Sequence, residues 1–140
     1  MMSTIDYTFI KNFLLTKKNI VITTHKTPDG DALGSSLALY HELNKNHNVS
    51  VIVPNEYPYY LQWLPASSSV LVYEGNELLC NNIIQKADLL FFLDFNKLYR
   101  TYTMCDMLEH SSACKIMIDH HEDPDDCCDY ILSNSLVINI

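Results

Sequence analysis

Glycine and arginine are scarce in this chain, which has three glycines among 140 residues and a single arginine, Arg100. With so few glycines, no glycine-rich phosphate loop is found, which disfavours a flavodoxin-like nucleotide or redox domain. Acidic residues outnumber basic ones by 17 to 9, so the net charge is −8. Because duplex nucleic acid is bound through clustered lysine and arginine, this balance argues against a duplex-binding protein but leaves room for a short phosphorylated substrate.

The spacing of the cysteines and the lengths of the apolar runs argue against zinc-binding, disulfide-rich, membrane-spanning and secreted proteins. None of the five cysteines forms a Cys-x-x-Cys pair, so the sequence predicts reduced thiols rather than a zinc site or a disulfide framework. No apolar run approaches the ~20 residues that a membrane span requires, and no basic segment followed by an apolar block marks a signal peptide. We therefore expect a cytoplasmic protein with no membrane contact.

Strand and helix patterns alternate along a chain whose length fits one domain. Predicted strands lie at 19–24, 49–53, 89–93 and 114–118. Predicted helices lie at 5–18, from the loop after residue 24 to about 46, at 76–87 and at 103–110. This alternation predicts an α/β fold with a doubly wound, mostly parallel, Rossmann-like sheet and helices on both faces.

An acidic loop follows the first predicted strand and contains His25, Asp29 and Asp31. We expect Gly30 to provide the turn that directs both carboxylates inward. In open α/β sheets, ligands bind outside the carboxyl ends of the strands, where this loop would lie. The alternative is a structural turn in which Asp31 caps the helix that follows.

Two further predicted strands end in the same kinds of side chain. Asp94 follows a wholly apolar run, and Asp119-His120-His121 follows the last predicted strand. A buried carboxylate needs a cation or hydrogen bonds, and mixed imidazole and carboxylate ligands suit Mn²⁺, Zn²⁺ or Fe²⁺ better than Ca²⁺. Each group alone is an ordinary strand-end turn, but their joint occurrence at three strand ends predicts a metal site.

A loop between residues 54 and 69 is rich in aromatic side chains. It contains Tyr57, Tyr59, Tyr60 and Trp63. Such a cluster is more often a lid or a core patch than a platform on which nucleobases stack, and we expect one of the first two.

Together these motifs resemble the DHH phosphoesterases. The segment His25-x-x-Pro-Asp-Gly-Asp-Ala-Leu-Gly-Ser, then Asp94, then Asp119-His120-His121 match the first three motifs of that family in order. The local sequence around Asp94, Arg100 and the histidine pair is similar to that of the nanoRNase/pAp-phosphatase branch, whose members are also called exopolyphosphatase-related proteins. The resemblance covers about residues 5 to 135 and implies a DHH-domain fold.

The resemblance also implies a two-metal site for Mn²⁺, with Mg²⁺ or Co²⁺ as alternatives. His25 and Asp29 would bind one ion. Asp31 and His120 would bind the second ion, and Asp94 would bridge both.

Hydrolysis of a phosphodiester or phosphomonoester by a metal-bound hydroxide follows from the same resemblance. His121 would act beside the scissile phosphate as an electrostatic or acid group, and Asp119 would orient the histidines. Arg100 would contact a phosphate, with a surface ion pair as the alternative. The substrate would be a very short oligonucleotide, pAp or a similar phosphoester.

Members of that family are more than twice as long and carry a fourth motif and a separate C-terminal substrate-binding domain. We therefore expect residues 1–140 to form a single truncated DHH domain whose second metal lacks one family ligand. Since Asn134–Ile140 replace the usual helix, we expect an uncovered edge and self-association into a homo-oligomer. The alternative to an active enzyme is a remnant that binds metal or nucleotide without efficient turnover.

Overall fold

A computed structural model describes residues 3–4 and 7–132 and shows a seven-stranded sheet in which all neighbouring strands run parallel. The strands are β1 (Ser3–Thr4), β2 (Asn19–Thr23), β3 (Asn48–Val53), β4 (Leu71–Val72), β5 (Leu89–Leu93), β6 (Cys114–Ile118) and β7 (Tyr130–Leu132). Their order across the sheet is β1-β7-β6-β5-β2-β3-β4. The predicted parallel α/β sheet is therefore confirmed.

Helices cover both faces of the sheet. They are α1 (Tyr7–Phe13), α2 (Gly30–Leu43), α3 (Glu77–Gln85) and α4 (Cys105–Glu109). On one face, Ile84 of α3 and Leu108 of α4 pack in the same core as Phe92. On the other, Leu33 of α2 packs in the same core as Ile22. All five residues of β5 are buried because this central strand is covered on both sides, as its apolar run predicted.

The predicted helices differ from the observed ones mainly at their ends. α1 ends at Phe13 rather than near residue 18, and α2 ends at Leu43 rather than near 46. The helix predicted at 103–110 is divided between a 3-10 segment, Leu98–Met104, and the short α4. Within residues 3–4 and 7–132, none of the helices is long and apolar enough to cross a membrane.

Three short strands gave no sequence pattern. β1 and β4 have two residues each and β7 has three, too few for an alternation of apolar and polar side chains to be recognised. The predictions for residues 5–6, which would begin the first helix, and for Asn134–Ile140 lie outside the described residues.

The aromatic loop after β3 is in part a core patch, because Leu61 is a buried member of the core on the α2 face of the sheet and Tyr57 packs against that core. Tyr59, Tyr60 and Trp63 are 82%, 62% and 75% exposed, whereas Leu61 between them is buried. Leu61 lies close to Gly30, at the start of α2. The loop therefore reaches the acidic segment, while the rings of Tyr59, Tyr60 and Trp63 face solvent.

The strand order places a topological switch point at the centre of the sheet. From β2 the chain continues to β3 and β4 on one side, and it then returns to β5 on the other side of β2. In sheets of this kind the crevice between two such strands opens at their carboxyl ends and is the usual ligand site. Here those ends lead directly into the acidic loop and Asp94.

Candidate metal centre

Asp94 lies at the switch point, immediately after β5. Its backbone is left-handed, with φ of 63°, a conformation that aspartate and asparagine tolerate better than other residues with a side chain. Its N–H donates to the carbonyl oxygen of Ile118 at 3.1 Å, and its side chain is 17% exposed. The backbone thus holds this carboxylate between β5 and β6.

Asp94 belongs to two groups of side chains that offer metal ligands. Within each group, one donor atom per residue lies within 4.8 Å of all the others. The first cluster is His25, Asp29 and Asp94, and the second cluster is Asp94, Asp119, His120 and His121. One carboxylate is therefore shared by both clusters, as expected for a bridging ligand.

His25 is buried and its ring is fixed from both sides. Its Nδ1 donates to the carbonyl oxygen of Lys26 at 2.8 Å, and its Nε2 lies 3.6 Å from Oδ2 of Asp94. The contact with this carboxylate holds the pKa of His25 above its usual value, although burial acts in the opposite direction. The same contact holds the pKa of Asp94 below its usual value. A hydrogen bond from one ring nitrogen to a backbone carbonyl is the usual way in which a metal-binding histidine is oriented.

Asp29 both caps a helix and lies in the first cluster. Its Oδ1 accepts a hydrogen bond from the backbone N–H of Ala32 at 2.9 Å, which makes it the N-cap of α2. The helix cap is therefore Asp29, and the alternative that Asp31 caps α2 is wrong. The expectation for Gly30 is also wrong, because its φ is not positive, whereas the φ of Thr27 is 52°.

Thr27 is held in its left-handed conformation by the next loop. Its N–H donates to Oδ1 of Asn55 at 2.5 Å, and Nδ2 of Asn55 donates back to its hydroxyl at 3.2 Å. The loop after β3 thereby positions the loop after β2.

Asp119 holds His121 in one orientation. The Asp119 side chain is fully buried, and its Oδ1 lies 2.6 Å from Nδ1 of His121. Its other oxygen accepts the backbone N–H of His121 at 2.9 Å. Asp119 therefore holds the His121 ring, and its role in orienting the histidines for catalysis stays a prediction.

His120 is the member of the second cluster that is most exposed to solvent, and its ring lies near Asp94. Its Nδ1 lies 3.8 Å from Oδ1 of Asp94, and its ring stacks on that of His121 with 4.5 Å between the centroids. About half of the His120 side chain is exposed, so it can reach an ion that enters from solvent.

Asp31 is the predicted ligand that the structure does not bring into the centre. It lies exposed in the first turn of α2, and among the described residues it belongs to neither cluster. Its pairing with His120 on a second ion stays a prediction.

Arg100 lies beside the first cluster, in the 3-10 segment after β5. Its carbonyl oxygen accepts the N–H of Lys26 at 2.7 Å, and its positive charge opposes the rise that Asp94 causes in the pKa of His25. Across residues 3–4 and 7–132, no carboxylate forms an ion pair with the half-buried Arg100. The ion-pair alternative is therefore not seen.

One contact next to the site is not predicted by the sequence. The ammonium group of Lys26 lies 4.0 Å from the centroid of the Tyr102 ring. Tyr102 has φ of 55° and ψ of −117°, and these values interrupt the 3-10 segment. A single sequence carries no signal for such a contact, because its partners are far apart along the chain.

The loops after β5 and β6 are also joined. Nδ2 of Asn96 donates to the carbonyl oxygen of Glu122 at 2.6 Å, and the N–H of Asp125 donates to the carbonyl oxygen of Asn96 at 2.7 Å. Oδ2 of Asp125 in turn accepts the N–H of Leu98 at 2.6 Å. These bonds fix the segment that follows the histidine pair against the segment that follows Asp94.

The donor set fits divalent cations of intermediate hardness. Each cluster combines imidazole nitrogens with carboxylate oxygens, which suits Mn²⁺, Fe²⁺ or Zn²⁺. Two ions that share one carboxylate would lie close enough to act on the same phosphate.

Comparisons with known proteins agree with this geometry. A sequence profile of the DHH family, N-terminal domain, matches residues 19–137. The crystal structure of an exopolyphosphatase-related protein from Bacteroides fragilis is similar, with 41% sequence identity and a TM-score of 0.88. That match covers 91% of this chain and 38% of the other, so this chain spans well under half the length of its relative. No curated protein sequence matches the chain.

Proposed function

Because this chain belongs to the DHH family of phosphoesterases, we propose that it hydrolyses phosphoesters with Mn²⁺ ions held by the two clusters. The substrates we propose are short oligonucleotides, pAp and similar phosphoesters. The name of the similar protein, exopolyphosphatase-related, supports a phosphorylated substrate.

The observation that carries the proposal is the shared position of Asp94. A carboxylate common to two ligand clusters, at the switch point of a parallel sheet, is the arrangement that two adjacent cations require. A bound divalent cation supplies a Lewis acid that activates water and stabilises phosphoryl charge.

The residues of the chain have separate tasks in this scheme. His25 and Asp29 would hold one ion together with Asp94, and His120 would contribute to holding the second. His121 belongs to the second cluster and is oriented by Asp119, and it would stabilise or protonate the leaving oxygen.

The alternative is a remnant that binds metal or nucleotide without efficient turnover. The test is hydrolysis of pAp and of a short oligoribonucleotide by the purified chain with Mn²⁺, beside the Asp94→Asn variant. Activity that is lost in this variant supports the phosphoesterase. Mn²⁺ binding that depends on Asp94 without hydrolysis of either substrate supports the remnant and refutes the enzyme.

A further inference from the structure

We propose that Tyr102 is a stacking surface for a nucleobase next to the scissile phosphate. This inference rests on the proposed phosphoesterase function and narrows its substrates to those that carry a base. They are nucleotides and short single-stranded oligonucleotides, as distinct from base-free polyphosphate chains.

Tyr102 is connected to the first cluster by two short contacts. Lys26 directly follows His25, and its backbone N–H donates to the carbonyl oxygen of Arg100 at 2.7 Å. The side-chain ammonium of the same lysine lies 4.0 Å from the centroid of the Tyr102 ring. The ring is therefore tied to the residue that directly follows His25, and the Lys26 ammonium lies over one of its two faces.

Burial does not explain why a large ring is placed here, and Lys26 covers only one of its two faces. The Tyr102 side chain is 57% exposed. Its backbone has a positive φ, a conformation that glycine adopts without strain but that is costly for a tyrosine. Residues held in rare backbone conformations concentrate at ligand sites, where the surrounding structure maintains them. An exposed ring kept in such a conformation beside a ligand cluster is best explained by contact with a ligand.

The charges around the ring suit a phosphate. Lys26 directly follows His25 and is hydrogen-bonded through its backbone to Arg100, whose charge acts on His25, so two cations lie near the first cluster in a chain of net charge −8. Arg100 is half-buried, and in the part of the chain that the structure describes it pairs with no carboxylate. Its guanidinium is free to bind two phosphate oxygens at once.

Aromatic rings beside cationic side chains are how proteins bind single-stranded nucleic acid without reading its sequence. The phosphates contact the cations, and each base stacks on a ring whatever its identity. A base-free polyphosphate gains nothing from the ring. If Tyr102 stacks on a base, the chain should prefer substrates that carry a base. Removing the ring of an exposed tyrosine elsewhere should leave that preference unchanged.

The test compares two hydrolysis-resistant ligands, the phosphorothioate form of the dinucleotide pApA and the same molecule with abasic sugars. Their dissociation constants are measured with Mn²⁺ for the native chain and for Tyr102→Leu, Tyr102→Phe and Tyr60→Leu. Tyr60 is a matched control because it is 62% exposed and lies in the loop after β3. Thermal unfolding shows that each variant is folded.

We expect Tyr102→Leu to weaken binding of pApA about 10-fold and to leave binding of the abasic ligand unchanged. Tyr102→Phe keeps the ring and should bind as the native chain does. Equal weakening for both ligands, a loss in Tyr102→Phe, or the same loss in Tyr60→Leu overturns the assignment.

Hydrolysis of ordinary pApA and its abasic form by the native chain separates this inference from the proposed function. A ring-dependent preference in binding without hydrolysis supports stacking and refutes the enzyme. Equal binding and equal hydrolysis of both ligands supports the enzyme and refutes stacking.

Discussion

The backbone N–H of Asp94 donates a hydrogen bond to the carbonyl oxygen of Ile118, 3.1 Å away. This bond continues the pairing of β5 with β6 by one residue beyond the end of β5, although Asp94 has already turned into the left-handed region. Because Ile118 is followed directly by Asp119, the same bond links the shared carboxylate to the second cluster. The position of the shared carboxylate relative to the second cluster is thus set by the backbones of β5 and β6.

Replacing Asp94 with asparagine should abolish tight Mn²⁺ binding while the fold is kept. Asparagine accepts a positive φ, so Asp94→Asn removes the charge without adding backbone strain, which alanine would do. Loss of a residue that only supports a ligand weakens metal binding by about 10- to 100-fold, so loss of the shared ligand should exceed about 100-fold. Calorimetric titration with Mn²⁺ measures the change.

Asp123 offers a matched control for this substitution. It is also an aspartate with positive φ, 53°, but it belongs to neither cluster and lies 3.4 Å from Lys97 in an exposed ion pair. Asp123→Asn should leave Mn²⁺ affinity unchanged. An equal loss in both variants would mean that the titration reports general acidity and not the shared carboxylate.

The two tasks of Asp29 can be separated by substitution. Serine accepts the N–H of Ala32 as aspartate does, so Asp29→Ser should keep the metal-free stability and lose Mn²⁺ affinity. Asp29→Ala should lose both, with a decrease of about 0.5–2 kcal/mol in the free energy of unfolding. Urea unfolding in EDTA and Mn²⁺ titration are the measurements. Full Mn²⁺ affinity in Asp29→Ser would remove Asp29 from the ligand set.

Asp119→Asn should lower both stability and turnover. The asparagine oxygen can still accept the backbone N–H of His121, but its amide then donates to Nδ1, which replaces a charge-assisted hydrogen bond and forces the ring into its other tautomer. We expect a loss of about 1–3 kcal/mol in the free energy of unfolding and a decrease of about 10- to 100-fold in kcat. Urea unfolding curves measure the free energy of unfolding, and initial rates of pAp hydrolysis measure kcat. A stable variant with native kcat would contradict the orienting role.

Cys127 should be the first cysteine to react with iodoacetamide. The hydrogen bond with the Cys128 thiol holds the pKa of Cys127 below its usual value, whereas burial raises the pKa of Cys114 to about 11. Only the thiolate reacts, so labelling near pH 8 should modify Cys127 while Cys114 remains a thiol. Peptide mapping by mass spectrometry identifies the order. Equal labelling of both, or no loss of the fast phase in Cys127→Ser, would contradict the pKa difference.

The sequence predicted those parts of the fold that a local pattern determines. The apolar run of β5 identified a central strand, and the parallel order then required Asp94, His25 and His120 to converge at one edge. Six of the eight predicted site residues lie in the two clusters for this reason: His25, Asp29, Asp94, Asp119, His120 and His121.

Long-range contacts explain what the sequence could not predict. β1 and β4 are strands only because they pair with β7 and β3, and two residues alone carry no pattern. Asp31 follows Asp29 closely, but only the hydrogen bond to Ala32 decides which of them caps α2. The backbone of Tyr102 likewise depends on neighbours distant along the chain.

The position of Asp94 along the chain has a consequence for biosynthesis. His25 and Asp29 precede it, and Asp119, His120 and His121 follow it, so the first cluster is complete in sequence as soon as β5 and Asp94 have been translated. The second cluster still awaits β6 at that stage. A nascent chain arrested between the two strands would carry one full set of ligands and a single carboxylate of the other.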